Sequence, residues 1–356
     1  MIIGYVLDDT LDKSDGVQQA MISIAEKMRQ LGHDVHYIVP ICDRTDLSQV
    51  HRVGKIMSLK FNGNSIRTPI WSSKKKIKKL FLEVKFDVLH IQMPYSPLMA
   101  ARVMRMAPSN TRLVGTFHIL PYNLMARVGT KLLGFVLSAT NNKLSAAFAV
   151  SEPALEFMKH NFGVNGKVLG NPVRYSFFNK YSKQKQNNTK IRMVFVGRFD
   201  ERKGVRELIS AYEQMKNRDN VDLIMCGKGP LWGEVNSINE SKKLGVKLTG
   251  FVSEEEKAEY LSSADIAVFP SISGESFGIV LTEAMSAGSG VTLGGNNPGY
   301  ASVLGAWPET LFNPKNINEF ASFLDDWVVD TGRRKLIGSQ QHQDVKQYDI
   351  DVIVDR

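Results

Sequence analysis

Residues 274–288 read GESFGIVLTEAMSAG, which joins a predicted loop to a predicted helix. Its two glutamates, Glu275 and Glu283, are separated by seven residues. The first lies in a predicted loop that follows an apolar strand ending at Phe269. The second lies in a helix predicted over residues 277–288, which a glycine ends. A strand that leads through a loop into a helix is the repeating unit of a parallel α/β sheet.

The start of this helix is a predicted phosphate site. The backbone N–H groups of Phe277, Gly278 and Ile279 have no intrahelical partner there, and the helix dipole favours an anion. Gly278 has no side chain to keep a ligand from the backbone. At helical rise the glutamates are about 12 Å apart, so they could reach opposite sides of a diphosphate. The alternative is an amphipathic helix with two solvated glutamates.

Strand and helix patterns alternate on both sides of this segment. Short apolar runs predict strands at residues 2–7, 35–39, 87–91, 113–116, 193–196, 221–226 and 266–269. Amphipathic spacing predicts helices between them, at residues 17–31 and 204–216. This alternation predicts two Rossmann-like, doubly wound α/β domains that face each other across a cleft.

The domain boundaries follow from the same patterns. We predict a first domain over residues 1–172 and a linker over residues 173–190, because residues 180–190 are polar and aperiodic. A second domain covers residues 191–330, and residues 331–356 cross back to the first domain. Ligands in such sheets bind beyond the carboxyl ends of the strands, so the loops after strands are the candidate sites.

The composition is that of a globular protein with enough apolar material for two cores, since 43% of its 356 residues are hydrophobic. Cys42 and Cys226 have no metal-ligand spacing, which predicts reduced buried thiols. The first residues resemble a strand and not a signal peptide, and no apolar run approaches the ~20 residues of a membrane span. We therefore expect a cytoplasmic protein without an integral membrane segment. We also expect that it requires no metal, because no Asp-x-Asp motif follows a strand in the domain that contains Glu275 and Glu283.

The net charge of +9 is distributed unevenly along the chain. Residues 1–172 contain 22 Lys or Arg and 12 Asp or Glu, whereas residues 173–356 contain 23 and 24. All of the positive excess therefore lies in the first half, which predicts an anionic partner for that half.

A cluster of five lysines contributes to this excess: Lys74, Lys75, Lys76, Lys78 and Lys79. They occupy one side of a predicted helix whose other side carries Ile77, Leu80, Phe81 and Val84. Two interpretations are equally supported: a surface helix whose apolar stripe packs on the sheet, or a basic amphipathic helix that lies on anionic lipid. Nucleic-acid binding is disfavoured because aromatic residues are not interleaved with the lysines.

The segment around Glu275 resembles the E-x7-E signature of the family-4 retaining glycosyltransferases, which have the GT-B fold. GESFGIVLxEAM closely resembles the phosphatidylinositol mannosyltransferases of that group, which have a similar basic element in their first domain. The resemblance implies that Glu275 contacts hydroxyls of the transferred sugar and that Glu283 binds the nucleotide ribose. It also implies that the N–H groups of Phe277, Gly278 and Ile279 hold phosphate and sugar oxygens.

Three further segments resemble the same family. In GRFDERKG, residues 197–204, the resemblance implies that Arg198 and Lys203 bind the donor diphosphate; alone, the segment would be a solvated basic loop. It implies that the N–H of Gly16 faces the pyrophosphate and that His118, after a strand, touches the transferred sugar. A lone glycine or histidine is otherwise structural.

The segment GFVSEEEK, residues 250–257, resembles the base-binding loop of the family. The resemblance implies that Val252 packs near the base and that Lys257 hydrogen-bonds it, although Lys257 could equally be a helix-surface lysine. The loop GGNNPGY, residues 294–300, departs from the family pattern, and the C-terminal helix is shorter than usual.

The resemblance implies a retaining, metal-independent hexosyltransferase without a cofactor. Its donor is a nucleotide-diphosphate sugar, with GDP-mannose as the first candidate. Its acceptor is lipid-linked and phosphatidylinositol-like, so the protein would associate peripherally with the inner face of the membrane. The alternatives are another nucleotide sugar with a soluble acceptor, a GT-B epimerase, and a non-catalytic protein that binds anionic surfaces. A dinucleotide oxidoreductase is disfavoured because Asp8 and Asp9, not G-x-G-x-x-G, follow the first strand.

Overall fold

The computed structural model of the protein describes residues 1–12, 15–61, 64–118, 124–182 and 189–356. The chain divides into two compact units. The first unit contains Met1–Pro172 and Ile353–Arg356, and the second contains Val173–Val352. Each unit is built on a parallel sheet with helices between its strands, which is the Rossmann-like architecture predicted by the strand and helix alternation.

The elements of the first unit follow one another in the expected alternation. In chain order they are β1 (Ile2–Val6), α1 (Gly16–Gln30), β2 (Asp34–Val39), β3 (Val50–Arg52), β4 (Gly54–Phe61), β5 (Asn64–Ser72), α2 (Lys74–Glu83), β6 (Val88–Ile91), α3 (Met99–Met106), β7 (Arg112–Phe117), α4 (Leu124–Asn141), β8 (Ala146–Ala149), α5 (Glu152–Phe162) and β9 (Lys167–Val168). The parallel sheet has the order β3-β2-β1-β6-β7-β8-β9.

The two faces of this sheet form separate cores because side chains alternate along each strand. On one face Ile3 and Tyr5 of β1 pack with Met21 and other buried residues of α1. On the opposite face Val6 packs with buried residues of α2 and α3. Apolar residues on both faces are expected of a parallel sheet that helices cover on both sides.

A hairpin of β4 and β5 interrupts the alternation, and the sequence patterns above did not predict it. The two strands are antiparallel and form a sheet of their own, with Gly54 opposite Ser72 at its base. The chain reads Asn-Gly at positions 62 and 63, a dipeptide typical of hairpin turns, although these two residues lie outside the described ranges.

The second unit begins with a short helix and then alternates in the same way. Its elements are α6 (Tyr175–Asn179), β10 (Ile191–Val196), α7 (Val205–Gln214), β11 (Val221–Cys226), α8 (Trp232–Ser241), β12 (Lys247–Gly250), α9 (Glu254–Ser263), β13 (Ile266–Phe269), α10 (Ile279–Ser286), β14 (Thr292–Gly295), α11 (Pro298–Leu304), β15 (Leu311–Phe312), α12 (Ile317–Val329) and α13 (Thr331–Asp344). The last helix, α14 (Ile350–Asp355), begins in the second unit, and its residues from Ile353 onward belong to the first. The parallel sheet has the order β12-β11-β10-β13-β14-β15.

The segment predicted as a linker, residues 173–190, contains α6. Phe178 of α6 is buried within the second unit, and helix α6 packs against α10. Residues 183–188 of this segment lie outside the described ranges. Among the described residues, none of the helices combines the length and apolar character that crossing a bilayer requires.

Candidate active site

Helix α10 begins at Ile279, two residues later than the sequence pattern predicted. Gly278 precedes it with a φ of +103°, in the left-handed region that favours glycine. A Cβ atom at this position would lie 2.6 Å from the ring of Tyr300, so glycine is also required for space. The first hydrogen bond of the turn runs from Leu281 N–H to the carbonyl oxygen of Gly278, at 3.0 Å. The amides of residues 277–279 precede that bond, as a phosphate site requires.

Glu275 lies in the loop before α10, where two side chains donate to the same carboxylate oxygen. Lys203 Nζ donates to Oε1 at 2.7 Å, and Ser271 Oγ donates to it at 3.1 Å. The side chains of Glu275 and Lys203 are 12% and 21% exposed, so this ion pair is largely shielded from water. Burial alone would raise the pKa of Glu275, but Lys203, Arg202 and Ser271 together lower it. Glu275 is therefore ionised at neutral pH.

Tyr300 completes a buried hydrogen-bonded chain behind Glu275. Its hydroxyl donates to Ser271 Oγ at 3.1 Å, and its ring is fully buried against Gly278. Asn297 holds the two loops together, since its Nδ2 donates to the carbonyl oxygen of Ser271 at 3.1 Å. Both Tyr300 and Asn297 belong to the loop that departs from the family pattern. Ser271 and Tyr300 were not among the residues predicted for the site.

Three cations follow β10. Asp200 is buried and caps the turn of residues 201–203, accepting from Lys203 N–H at 3.2 Å. Arg198 Nε and Arg202 NH2 each lie 3.9 Å from Asp200 Oδ2, with their side chains half exposed. The three cations Arg198, Arg202 and Lys203 face two carboxylates, Asp200 and Glu275, which leaves one positive charge for an anionic ligand. Arg202, which was not among the predicted site residues, also donates to the carbonyl oxygen of Gly274 at 3.4 Å.

Glu283 is the second glutamate of the motif, and it too is paired with a lysine. Lys257 Nζ lies 2.7 Å from Glu283 Oε1 and 2.9 Å from Glu254 Oε1. Lys257 and Glu283 are buried, and the Lys257 ammonium lies over the ring of Phe178. Burial raises the pKa of Glu283, and Lys257 opposes that shift. The interpretation of Lys257 as a helix-surface lysine is therefore wrong.

The loop between β12 and α9 presents an apolar surface next to this pair. Val252 is half-buried, and the neighbouring Phe251 is 82% exposed. Ser253 begins α9 with a reciprocal capping box to Glu256, which fixes the direction in which the helix leaves the loop. The position predicted for base binding thus combines a valine, an exposed aromatic ring and a buried lysine.

In the first unit, His118 follows β7. Its Nε2–H donates to the amide oxygen of Gln92, which follows β6, at 2.9 Å. Burial and the neighbouring His90 lower the pKa of His118 to about 3. The imidazole is therefore neutral at physiological pH, and its Nδ1 can accept a hydrogen bond. Gly16 is the first residue of α1, one position before the predicted start of that helix.

The structure separates the two sides of the basic helix α2. Ile77 and Leu80 are buried in the core of the first unit, so the apolar stripe packs on the sheet. All five lysines, Lys74, Lys75, Lys76, Lys78 and Lys79, are exposed. Lys76 donates to the carbonyl oxygen of Arg52 at 3.1 Å, and Lys79 lies 3.5 Å from Glu83. Helix α2 can therefore offer a charged surface but cannot insert its apolar stripe into lipid.

The structure also shows the environment of the two cysteines and of the side chains that could bind a metal. Cys42 and Cys226 are buried free thiols. Within the described ranges, the side chains of His, Cys, Asp and Glu form no group of three or more with the arrangement of a metal site.

Comparison with known proteins assigns each half of the chain. Residues 14–176 match the family described as Glycosyltransferase Family 4, and residues 177–344 match Glycosyl transferases group 1. The phosphatidyl-myo-inositol mannosyltransferase of Mycolicibacterium smegmatis is 29% identical over 303 residues, which cover 82% of this chain and 75% of that protein.

Solved structures agree on the fold. The structure of Anabaena Alr3699/HepE in complex with UDP and glucose has a TM-score of 0.74 and 19% identity, covering 100% of this chain and 97% of that one. WaaG, a glycosyltransferase involved in lipopolysaccharide biosynthesis, has a TM-score of 0.70 and 15% identity, covering 99% and 98%. The chain belongs to the family-4 and group 1 glycosyltransferases, and its fold is GT-B.

Proposed function

We propose that this glycosyltransferase moves a hexose, with retention of anomeric configuration and without a metal, from a nucleotide-diphosphate sugar to a lipid-linked acceptor. The observation that carries the proposal is that each glutamate of the motif is paired with a lysine that is at least largely shielded from water, Glu275 with Lys203 and Glu283 with Lys257. GDP-mannose and a phosphatidylinositol-like acceptor are the first candidates, because the Mycolicibacterium relative is named a phosphatidyl-myo-inositol mannosyltransferase.

The donor would bind with its diphosphate against the cations and the start of α10. Arg198 and Lys203 would bind the phosphates, together with the N–H groups of residues 277–279. Glu275 would accept from hydroxyls of the sugar through the oxygen that does not bind Lys203. At the other end of the motif, Glu283 would bind the ribose.

The remaining predicted residues have supporting roles. Val252 and Lys257 would lie on the base side of the nucleotide. In the first unit, Gly16 would present its N–H to the pyrophosphate, and the neutral His118 would accept from a hydroxyl of the sugar.

Charge on the leaving group determines the mechanism that we propose. When the bond between the anomeric carbon and the phosphate oxygen breaks, negative charge develops on the diphosphate. Preorganised cations such as Arg198 and Lys203 stabilise that charge without a metal ion. We propose no carboxylate as a nucleophile. The acceptor would therefore attack the anomeric carbon from the same face that the diphosphate leaves.

Three measurements test the donor, the metal independence and the anomeric configuration. We expect GDP-mannose to give the largest thermal stabilisation among GDP, UDP and ADP sugars. Transfer to a phosphatidylinositol-containing vesicle should continue in EDTA, and NMR of the fresh product should show an α-linkage. A β-linked product, or loss of transfer in EDTA that Mg²⁺ or Mn²⁺ restores, would contradict the proposed mechanism.

A second candidate function is transfer from another nucleotide sugar to a soluble acceptor. It is favoured by the similarity to Anabaena Alr3699/HepE, whose structure was solved in complex with UDP and glucose. In this case a UDP sugar would give the largest stabilisation, and transfer would not require vesicles.

A lipid-linked acceptor also predicts that the protein docks peripherally on the inner face of the membrane through α2. The five lysines are exposed and lie in the half of the chain that carries the positive excess. Changing all five to Gln should weaken co-sedimentation with phosphatidylserine or phosphatidylinositol vesicles more than tenfold, because each lysine near an anionic surface contributes to binding.

This attraction is electrostatic and should therefore weaken with salt. Neutral phosphatidylcholine vesicles are the control for the lipid, and the circular dichroism spectrum of the variant is the control for the fold. Equal binding of the natural protein to neutral and anionic vesicles would exclude docking through the α2 lysines.

A further inference from the structure

Helix α4 in the first unit is apolar on two sides. Its buried side includes Leu137, which is 1% exposed and packs within the unit. Its other side exposes three large apolar side chains: Leu132 is 69% exposed, Phe135 is 81% exposed and Val136 is 60% exposed. Their spacing of three and four residues places them on one strip of the helix surface, which we call the α4 strip.

The buried side of α4 already accounts for the folding of this helix. α4 packs against α5, where a Cβ atom on Gly134 would lie 1.7 Å from the carbonyl oxygen of Asn161. Such close backbone contact fixes how α4 is rotated, so the α4 strip cannot turn inward. Surface helices usually carry polar residues at these positions, and a cluster of exposed apolar side chains marks a contact surface.

The charge around the α4 strip identifies the partner. Between Val88 and Ser151 the sequence has six Lys or Arg and no Asp or Glu, and the neighbouring α5 adds Glu152, Glu156 and Lys159. One of these cations, Lys131, is exposed directly beside Leu132. Helices α2, α3 and α4 pack one against the next, so the lysines of α2 belong to the same helical layer. Apolar side chains in a helical layer with a net positive charge match the boundary between the head groups and acyl chains of an anionic bilayer.

We infer that the α4 strip inserts into the head-group boundary of an anionic bilayer, so that the protein has an apolar membrane contact besides the α2 lysines. The inference rests on the proposed function, because a lipid-linked acceptor gives the contact its use. A second copy of the chain fits less well, because its cationic surface would repel this one. The two contacts should differ in salt dependence, since screening weakens the lysines but not the burial of apolar side chains.

Insertion can be observed at the residue itself. Phe135→Trp places an indole at the centre of the strip, and its emission is read after subtracting the signal of the natural protein with its four tryptophans. With vesicles of phosphatidylcholine and phosphatidylglycerol we expect a blue shift, and quenching when the acyl chains are brominated. A spectrum that does not change at vesicle concentrations that bind all the protein would overturn the inference.

Replacing the three apolar residues of the α4 strip by serine tests how much the strip contributes to vesicle affinity. Leu132→Ser, Phe135→Ser and Val136→Ser together should lower binding to anionic vesicles about tenfold or more in ~1 M salt, where the lysines are screened. The matched control is Val329→Ser with Leu336→Ser, which removes exposed apolar side chains from the second unit and should change nothing.

Two measurements separate this inference from its rivals. The triple variant should bind the donor nucleotide as the natural protein does, so loss of vesicle binding with normal nucleotide affinity supports the α4 contact alone. Failure of the natural protein to bind any nucleotide would instead contradict the proposed function. A concentration-dependent dimer that the triple variant abolishes would assign the strip to a second copy and overturn the inference.

Discussion

Glu275→Gln is expected to lower the turnover of sugar transfer by about 10²-fold or more. The amide keeps the size of the side chain but removes the negative charge. In the natural protein Lys203 Nζ donates a hydrogen bond to that charged carboxylate at 2.7 Å. In the proposed site this charge orients the sugar hydroxyls, and the buried environment strengthens that interaction. The measurement is the single-turnover rate at saturating donor, which excludes an effect on binding alone.

Two control variants bracket this result. Ser271→Ala leaves the Glu275 charge in place but removes one donor to it, so we expect a smaller loss, about tenfold. Glu255→Gln makes the same chemical change at an exposed position of α9 and should have the turnover of the natural protein. Unchanged turnover in Glu275→Gln would show that the motif does not bind the reacting sugar.

Lys203→Ala is expected to weaken binding of the donor nucleotide by tenfold or more, because a charge-assisted contact to the diphosphate is lost. It should also destabilise the second unit, since Glu275 is left 12% exposed without its partner. Arg198→Ala should weaken nucleotide binding with little loss of stability, because the Arg198 side chain is 50% exposed. Calorimetric titration with the nucleotide measures both affinities.

The double variant Lys203→Ala with Glu275→Gln separates the two effects of Lys203. Removing the unpaired charge should restore part of the lost thermal stability, whereas nucleotide affinity should stay low. Lys242→Ala is the matched control, because it breaks the exposed pair of Lys242 and Glu213 between α8 and α7. Natural affinity in both Arg198→Ala and Lys203→Ala would refute their assignment to the diphosphate.

The parts of the fold that the sequence predicted well are the buried parallel strands. The apolar runs at residues 221–226 and 266–269 have the same bounds as β11 and β13. Helices cover these strands on both faces, so each strand is a near-continuous apolar run in the sequence. A polar residue before each run, and a glycine or proline after it, mark the ends of the strand. The hairpin of β4 and β5 was not predicted, because the alternation of strands and helices indicates only parallel pairs. Its one local signal is the Asn-Gly dipeptide at positions 62 and 63.

The candidate site was predictable only where one local segment contains its residues. Glu275, Glu283 and the start of α10 lie in one stretch, and their types indicate their chemistry. Ser271 and Tyr300 were not predicted because their contact joins the loop after β13 to helix α11, 29 positions away, and no local pattern reveals such a contact. The same holds for Lys257, whose burial depends on Glu283, 26 positions away.

The low proton affinity of Glu275 constrains how the acceptor hydroxyl loses its proton in the proposed reaction. Lys203, Arg202 and Ser271 hold the pKa of this carboxyl below its ordinary value in spite of burial. A carboxylate so stabilised is a weak base, because taking up a proton would forfeit those contacts. The departing diphosphate gains basicity as its bond to the sugar breaks, so in the proposed reaction the diphosphate would take up the proton that Glu275 does not.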